Sequence, residues 1–234
     1  MRYFWHGILV CTMMLAACGD DNVTGTESGR FVTGTMTDSR DGQTYKTVTI
    51  GTQTWMAENL NFETKDSYCY NDFAEYCTKY GRLYTWMAAM DGTGTWTTNG
   101  KGCGYYKTCT PTYPVRGICP AGWHLPTKAE FETLFTAVGG SSTAGKVLKS
   151  TSGWNSGAGT DAYGFSALPA GYRGCNGGYY FHNEGRYAVF WSSTEYDSCH
   201  SYYSVYSEAG LYDDIAYLFD RLQCDAISVR CVKD

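Results

Sequence analysis

The sequence predicts an α+β fold in which strands at both ends of the chain enclose helices in its middle. Residues 45–50 alternate through β-branched side chains and end at Gly51. Residues 127–138 carry a capped amphipathic helix. After Gly153 the chain breaks into short aromatic or β-branched runs separated by turn-rich segments, the texture of a late antiparallel block. Of the 234 residues 43% are hydrophobic and 18% charged, a composition that builds a core rather than a disordered chain. Lys+Arg 18 against Asp+Glu 23 gives a net charge of -5, and no basic stretch stands out. That argues against nucleic acid as a partner, because such affinity comes from clustered Lys and Arg.

The first residues read as an export signal. Arg2 gives a positive start, and residues 8–17 are apolar apart from Thr12. That run is too short to span a bilayer, which takes about 20 apolar residues. It ends Leu15-Ala16-Ala17-Cys18, which resembles a bacterial lipobox and implies cleavage before Cys18 and lipid on its sulfur. Residues 19–30 are small, polar and acidic and read as a flexible tether. Acidic residues there also resemble the surface-export cue of some Gram-negative lipoproteins. The expected location is the bacterial cell envelope, lipid-anchored, at the outer membrane and its surface, with the membrane touched through the lipid alone. Residues 31–234 run without an internal linker and are expected to form one domain.

Within that domain Asp41-Gly42 marks a turn before the first strand. A calcium loop there fails on spacing, since ligand positions would fall on Thr37, Ser39 and Val48. Leu83, Trp86, Met87 and Met90 follow helical spacing and predict a helix over residues 80–90. In the clearer helix, Thr127 and Glu130 form a capping box. Phe131, Leu134, Phe135 and Val138 share one face, and Gly139-Gly140 stops it. Residues 143–149 are read as a short third helix. Strands are expected at 165–172, 188–194, 201–207, 215–221 and 226–232.

Several ordered motifs carry a family resemblance. They are Asp41-Gly42-Gln43-Thr44-Tyr45, Trp55-Met56-Ala57-Glu58-Asn59-Leu60 and Gly81-Arg82-Leu83-Tyr84-Thr85-Trp86. Further on stand Cys119-Pro120-Ala121-Gly122-Trp123-His124-Leu125-Pro126-Thr127, Gly164-Phe165-Ser166-Ala167-Leu168-Pro169, Trp191-Ser192-Ser193-Thr194 and Ser228-Val229-Arg230-Cys231-Val232. Together they resemble the Fibrobacter succinogenes major paralogous domain, from about Thr37 to the C-terminus. That family consists of exported proteins, often lipoproteins, without a settled activity. The Trp-His-Leu-Pro-Thr segment also resembles part of formylglycine-generating-enzyme-like domains. This relation implies a C-type-lectin-like fold: two main helices, a small antiparallel sheet, paired N- and C-terminal strands, and long disulfide-stapled loops.

The chain has 11 cysteines, which points to an oxidising compartment. Setting aside Cys11 and Cys18 leaves nine, so at least one lacks a partner within the chain. Cys69 with Cys77, and Cys103 with Cys109, are close enough to staple loops locally. The resemblance implies Cys119 with Cys231. Cys199 and Cys224 flank an expected hairpin and are read as bridging its open end, which leaves Cys175 free, buried or intermolecular. No CxxC spacing occurs, so no metal site and no cofactor is indicated.

Catalytic constellations are weak. Cys119 and His124 fail as a nucleophile pair because Cys119 is assigned to a disulfide. Cys224 and Cys231 are likewise assigned to disulfides, a departure from the paired thiols of formylglycine-generating enzymes. His124 precedes a helix cap and reads as a structural hydrogen-bonding group. Glu195 and Asp197 are the candidate carboxylate pair for an enzyme acting on cell-wall glycans. The calcium motifs of C-type lectins are missing; Trp154-Asn155 is followed by Ser156. Calcium-free binding on aromatic faces remains, with Trp96, Tyr105, Tyr106, Tyr179 and Tyr180 in loop-like stretches as the candidates. The expected function is therefore non-enzymatic binding of a polysaccharide, or of a protein ligand, outside the cytoplasm. The alternatives are a glycan-acting enzyme and a structural module of the envelope.

Overall fold

The computed structural model describes Met1 and residues 31–207 and 214–234. The expected signal, Cys18 and the tether lie outside the described residues. Among those described, no helix is long and apolar enough to cross a membrane.

The chain opens with a hairpin. Strand β1 (Phe31–Thr37) pairs along its whole length with β2 (Thr44–Ile50), from Phe31 opposite Ile50 to Thr37 opposite Thr44. The sequence reading anticipated β2 but not β1, whose Thr-Gly-Thr centre is largely exposed at a sheet edge. Asp38 and Gln43 close the turn, with the Asp38 N–H donating to the Gln43 carbonyl at 2.8 Å. The buried Asp38 carboxylate is held by the Arg40 guanidinium at 2.6 Å. Strand β3 (Gln53–Met56) follows, then β4 (Ser67–Tyr68), helix α1 (Ala74–Tyr80), β5 (Leu83–Thr85), α2 (Trp86–Ala89) and β6 (Trp123–His124). Helices α3 (Lys128–Ala137) and α4 (Ser141–Leu148) come next. The late block holds β7 (Tyr172–Arg173), β8 (Phe181–His182), β9 (Tyr187–Glu195), β10 (His200–Ser207), β11 (Ala216–Leu222), β12 (Ala226–Ser228) and β13 (Val232–Lys233).

Two sheets result, ordered β1-β2-β3-β13-β6 and β11-β10-β9-β12-β5-β4, with β7 and β8 branching from β12. The C-terminal strand enters the N-terminal sheet, where Val232 stands opposite Trp55 on one side and His124 on the other. β12 runs parallel to β9 and antiparallel to β5. The α+β class holds, with mainly antiparallel pairing.

Two cores lie on opposite faces of the central strands. Along β9, Val189 and Trp191 join Trp86, Trp123 and Ile227 in one core, while Ala188 and Phe190 join Trp55, Phe131 and Tyr206 in the other. A strand covered on both faces reads as a continuous apolar run, as Ala188-Val189-Phe190-Trp191 does. The indole N–H groups are satisfied internally: Trp86 donates to the Ser192 carbonyl at 2.9 Å and Trp191 to the Tyr84 carbonyl at 2.7 Å. The capping box of α3 is complete. Its Phe131 and Phe135 pack on Trp55 and Tyr206, with ring centroids 5.1 and 6.2 Å apart.

Several expectations are corrected. The helix expected at residues 80–90 is a strand followed by one helical turn. Leu83–Thr85 pairs with Ala226–Ser228, and this tertiary pairing overrides the helical spacing. The helix that does form beside it, α1, ends at Gly81. That residue adopts φ 73°, and a Cβ there would lie 2.8 Å from the Asn59 carbonyl oxygen, so both conformation and close approach require glycine. Residues 165–172 form no continuous strand. The Phe165 and Ser166 carbonyls accept from the Arg230 side chain, Ser166 takes φ 52°, and Pro169 has no N–H for a ladder. The run at 226–232 divides between the two sheets. The structure also pairs Cys175 with Cys224 and leaves Cys199 free, correcting the assignment of Cys199 to Cys224. The β10–β11 register sets His200 opposite Leu222, and the Gln223 N–H donates to the Cys199 carbonyl at 2.8 Å. Cys224 follows in the turn after β11 and bridges to Cys175, whose N–H is held by Asp225 at 2.8 Å. The other bridges are Cys69–Cys77, Cys103–Cys109 and Cys119–Cys231.

Candidate functional site

The aromatic residues singled out in the sequence do not form one platform. Trp96 is 37% exposed and leans edge-on against Phe62 at 5.2 Å, beneath the Arg40 guanidinium. It therefore helps to cover a core. Tyr105 and Tyr106 pack on each other at 4.2 Å, with Tyr106 72% exposed. The hydrogen bond it shares with Tyr106, with a little desolvation, pushes the Tyr105 phenol up to about 12. Tyr179 lies on the Arg173 guanidinium, which also covers Tyr68, and Tyr180 is exposed beside it in sequence.

Glu195 and Asp197 share a partner, since the Gln223 amide donates to Glu195 Oε1 at 3.5 Å and to the Asp197 carbonyl at 3.2 Å. The Asp197 carboxylate is engaged in its own turn, accepting the N–H groups of Cys199 at 2.8 Å and His200 at 2.7 Å. Those bonds hold its pKa below the ordinary value.

The structure offers a different locus, a shallow cleft of about 440 Å³ lined by Tyr113, Thr127, Lys128, Ala129, Glu132 and Thr194. It forms where two of the sequence motifs meet. The Ser193 N–H donates to the Pro126 carbonyl at 2.8 Å, and the Lys128 N–H donates to Thr194 Oγ1 at 3.0 Å. The N-terminus of α3 is thus bound to the end of β9 by the Leu-Pro-Thr and Trp-Ser-Ser-Thr segments. Tyr113 donates its hydroxyl to the Ser193 carbonyl at 3.2 Å, which fixes the ring while leaving the residue exposed. Burial, with the nearby Glu195 charge, raises its pKa, so the phenol keeps its proton.

Lys128 Nζ sits 4.5 Å over the Tyr202 ring, and Tyr196 meets Tyr202 edge-on at 5.4 Å. On its other side Lys128 pairs with Glu132 at 3.7 Å. One face therefore combines exposed Tyr113 and Tyr196 with an ammonium group, a carboxylate and threonine hydroxyls. Behind it His124 is clamped between Asp234 on Nδ1 and Glu130 on Nε2, both at 2.7 Å. Burial alone would lower its pKa, but the two carboxylates outweigh that and raise it. Sequence reasoning missed Tyr113, Lys128, Glu132, Tyr196 and Tyr202, none of which it singled out. The available signal was the motif pair ending in Thr127 and Thr194, both of which line the cleft.

The sequence model of the family described as the Fibrobacter succinogenes major domain matches residues 48–233, and the chain belongs to that family. No curated protein and no solved structure matches the chain.

Proposed function

We propose that the chain is an exported, lipid-anchored envelope protein whose C-type-lectin-like domain binds polysaccharide without calcium and without turnover. The supporting observation is the cleft face, where the exposed Tyr113 ring, held by its hydroxyl, stands beside Lys128, Glu132 and Thr194. Sugar rings present C–H faces that pack on aromatic surfaces, and a few polar groups at the rim fix their orientation. A shallow site of this kind suits a segment of a longer chain rather than a small enclosed ligand. The fold reading rests on the N- and C-terminal strands sharing one sheet and on the long loops stapled by Cys69–Cys77 and Cys103–Cys109.

The test is retention of the purified chain on insoluble cellulose, xylan, chitin and peptidoglycan, with calcium and with a calcium chelator. Binding is expected to survive chelation and to weaken about tenfold in Tyr113→Ala, the loss of one aromatic contact of roughly 1.4 kcal/mol. No retention on any of the four polymers sinks the glycan reading and leaves a protein ligand. For the anchor, Cys18→Ser is expected to move the chain from the membrane fraction to the soluble one. An unchanged distribution overturns lipidation at that residue.

A further inference from the structure

Asp197, Cys199 and His200 converge at the turn joining β9 to β10. The Cys199 Sγ lies 3.2 Å from Asp197 Oδ1 and 3.3 Å from His200 Nδ1. That ring nitrogen lies 3.0 Å from Asp197 Oδ1 and 3.1 Å from Oδ2. A sulfur, an imidazole nitrogen and a carboxylate oxygen thus form a small, nearly equilateral triangle at the surface. Cys199 is the free cysteine among the described residues.

We propose that this turn is a zinc site, with Asp197, Cys199 and His200 as three ligands and solvent in the fourth position. Zinc–sulfur bonds are about 2.3 Å, and zinc–nitrogen and zinc–oxygen bonds about 2.0 Å. Tetrahedral angles then separate sulfur from either lighter donor by about 3.5 Å, and nitrogen from oxygen by about 3.3 Å. Each edge of the triangle falls short of these by only about 0.2–0.3 Å, so a slight spreading of three surface side chains admits the ion. The donor set also selects the metal. A thiolate with an imidazole suits zinc, whereas calcium and magnesium take oxygen ligands. On binding, the thiol gives its proton to solvent, and the imidazole enters neutral with its hydrogen on Nε2.

A nucleophilic reading of the same residues fails on geometry. A thiol–imidazole–carboxylate relay places the thiol on one ring nitrogen and the carboxylate on the other. Here both contact Nδ1, and convergence on one point is what a cation needs. A second observation comes from beneath the turn. Gln223 is 1% exposed, and its Nε2 donates to the Asp197 and His200 carbonyls, both at 3.2 Å. Its amide therefore clamps the two ends of the ligand-bearing segment, and its Oε1 has no hydrogen-bond partner. The sequence reading set metal aside because no CxxC occurs. This set needs only one cysteine.

The test uses the untagged full chain, purified without reductant, with intact mass and thiol counting to establish Cys199 as a free thiol. Titration with cobalt(II) is expected to produce the near-ultraviolet thiolate-to-metal charge-transfer band, and an equivalent of zinc should remove it. Cys199→Ser should abolish the band, and His200→Ala should weaken zinc binding at least about tenfold. Both variants should keep the parent melting temperature, since neither residue is in the core. Should Cys199→Ser not fold, His200→Ala decides the matter alone. Absence of the band, its survival in the variants, or Cys199 already held in a disulfide overturns the proposal.

Discussion

Arg230 donates its Nε to Asn59 Oδ1 at 2.8 Å, and both side chains are buried. Nη1 and Nη2 each donate one hydrogen bond, to the Phe165 and Ser166 carbonyls, and the Phe165 ring lies 4.5 Å from the cation. Burial pulls the guanidinium down to about 10, so it stays charged at neutral pH. Asn59 in turn donates to the Tyr80 carbonyl at 2.7 Å and to Ser228 Oγ at 3.2 Å. Three separated motifs, around Asn59, Phe165 and Arg230, thus meet at one buried cation.

Arg230→Met keeps much of the volume and leaves three buried acceptors unpaired. Hydrogen bonds to a charged group contribute about 1.5–3 kcal/mol each, with partial relaxation on loss. The expected destabilisation is about 3–5 kcal/mol in urea unfolding, with Arg230→Lys only partly better because an ammonium cannot span the same three acceptors. A change below about 1 kcal/mol for Arg230→Met contradicts this account.

Cys119–Cys231 closes a loop with a sequence separation of 112. In the chain-entropy model such a closure stabilises by about 4–5 kcal/mol. The bridge also joins the segment before β6 to the segment before β13, two strands that already pair. Replacing both cysteines by serine should lower stability by most of that amount. Loss of Cys103–Cys109, with a separation of 6, should cost clearly less, about 2–3 kcal/mol. Equal losses for the two pairs, read by chemical denaturation under oxidising conditions, would argue against loop length as the cause.

What could be read in the sequence follows from how local each signal is. The α3 helix was legible because Thr127 and Glu130 satisfy each other within four residues and Phe131, Leu134 and Phe135 repeat at helical spacing. β9 and β10 were legible because their runs are rich in aromatic and β-branched residues. Leu83–Thr85 was misread because its pairing partner lies at Ala226–Ser228, far along the chain. Phe165 and Ser166 were misread because their carbonyls are taken by a side chain from the C-terminus. Cys175 went astray for the same reason: its partner Cys224 sits in a turn 49 residues along the chain, and no local signal marks the pairing. The cleft was hidden because Tyr113, Lys128 and Thr194 come from three separate segments.

Thr127→Ala removes the oxygen that accepts the Glu130 N–H at 3.2 Å and the hydroxyl that donates to Glu130 Oε2 at 2.9 Å. Loss of such a cap costs about 0.5–2 kcal/mol. Because Lys128 and Glu132 follow in the first turns of α3, the same change should also weaken polysaccharide retention. Thr127→Ser should restore both properties. Rescue of stability without rescue of retention would mean that the threonine methyl group itself matters at the cleft.

The His124 clamp gives stability a pH signature with two limbs. The His124 pKa is raised from its ordinary 6.5: burial opposes the rise, and the hydrogen bonds its ring donates to Glu130 and Asp234 overcome it. Its contribution is therefore fully present below 6.5 and is lost as pH climbs through the raised value. The Glu130 pKa is lowered from 4.5, again against burial, by His124 and the Thr127 N–H. Its contribution is present above 4.5 and is lost as pH falls through the lowered value. The two overlap between about pH 4.5 and 6.5, where the clamp contributes most. His124→Gln should destabilise the chain there by about 1–2 kcal/mol, a figure moderated by the half-exposed Asp234. The difference between parent and variant should narrow as pH rises above the histidine limb. Melting temperatures of both chains across that range check it, and a difference independent of pH would show that His124 acts by shape rather than by charge.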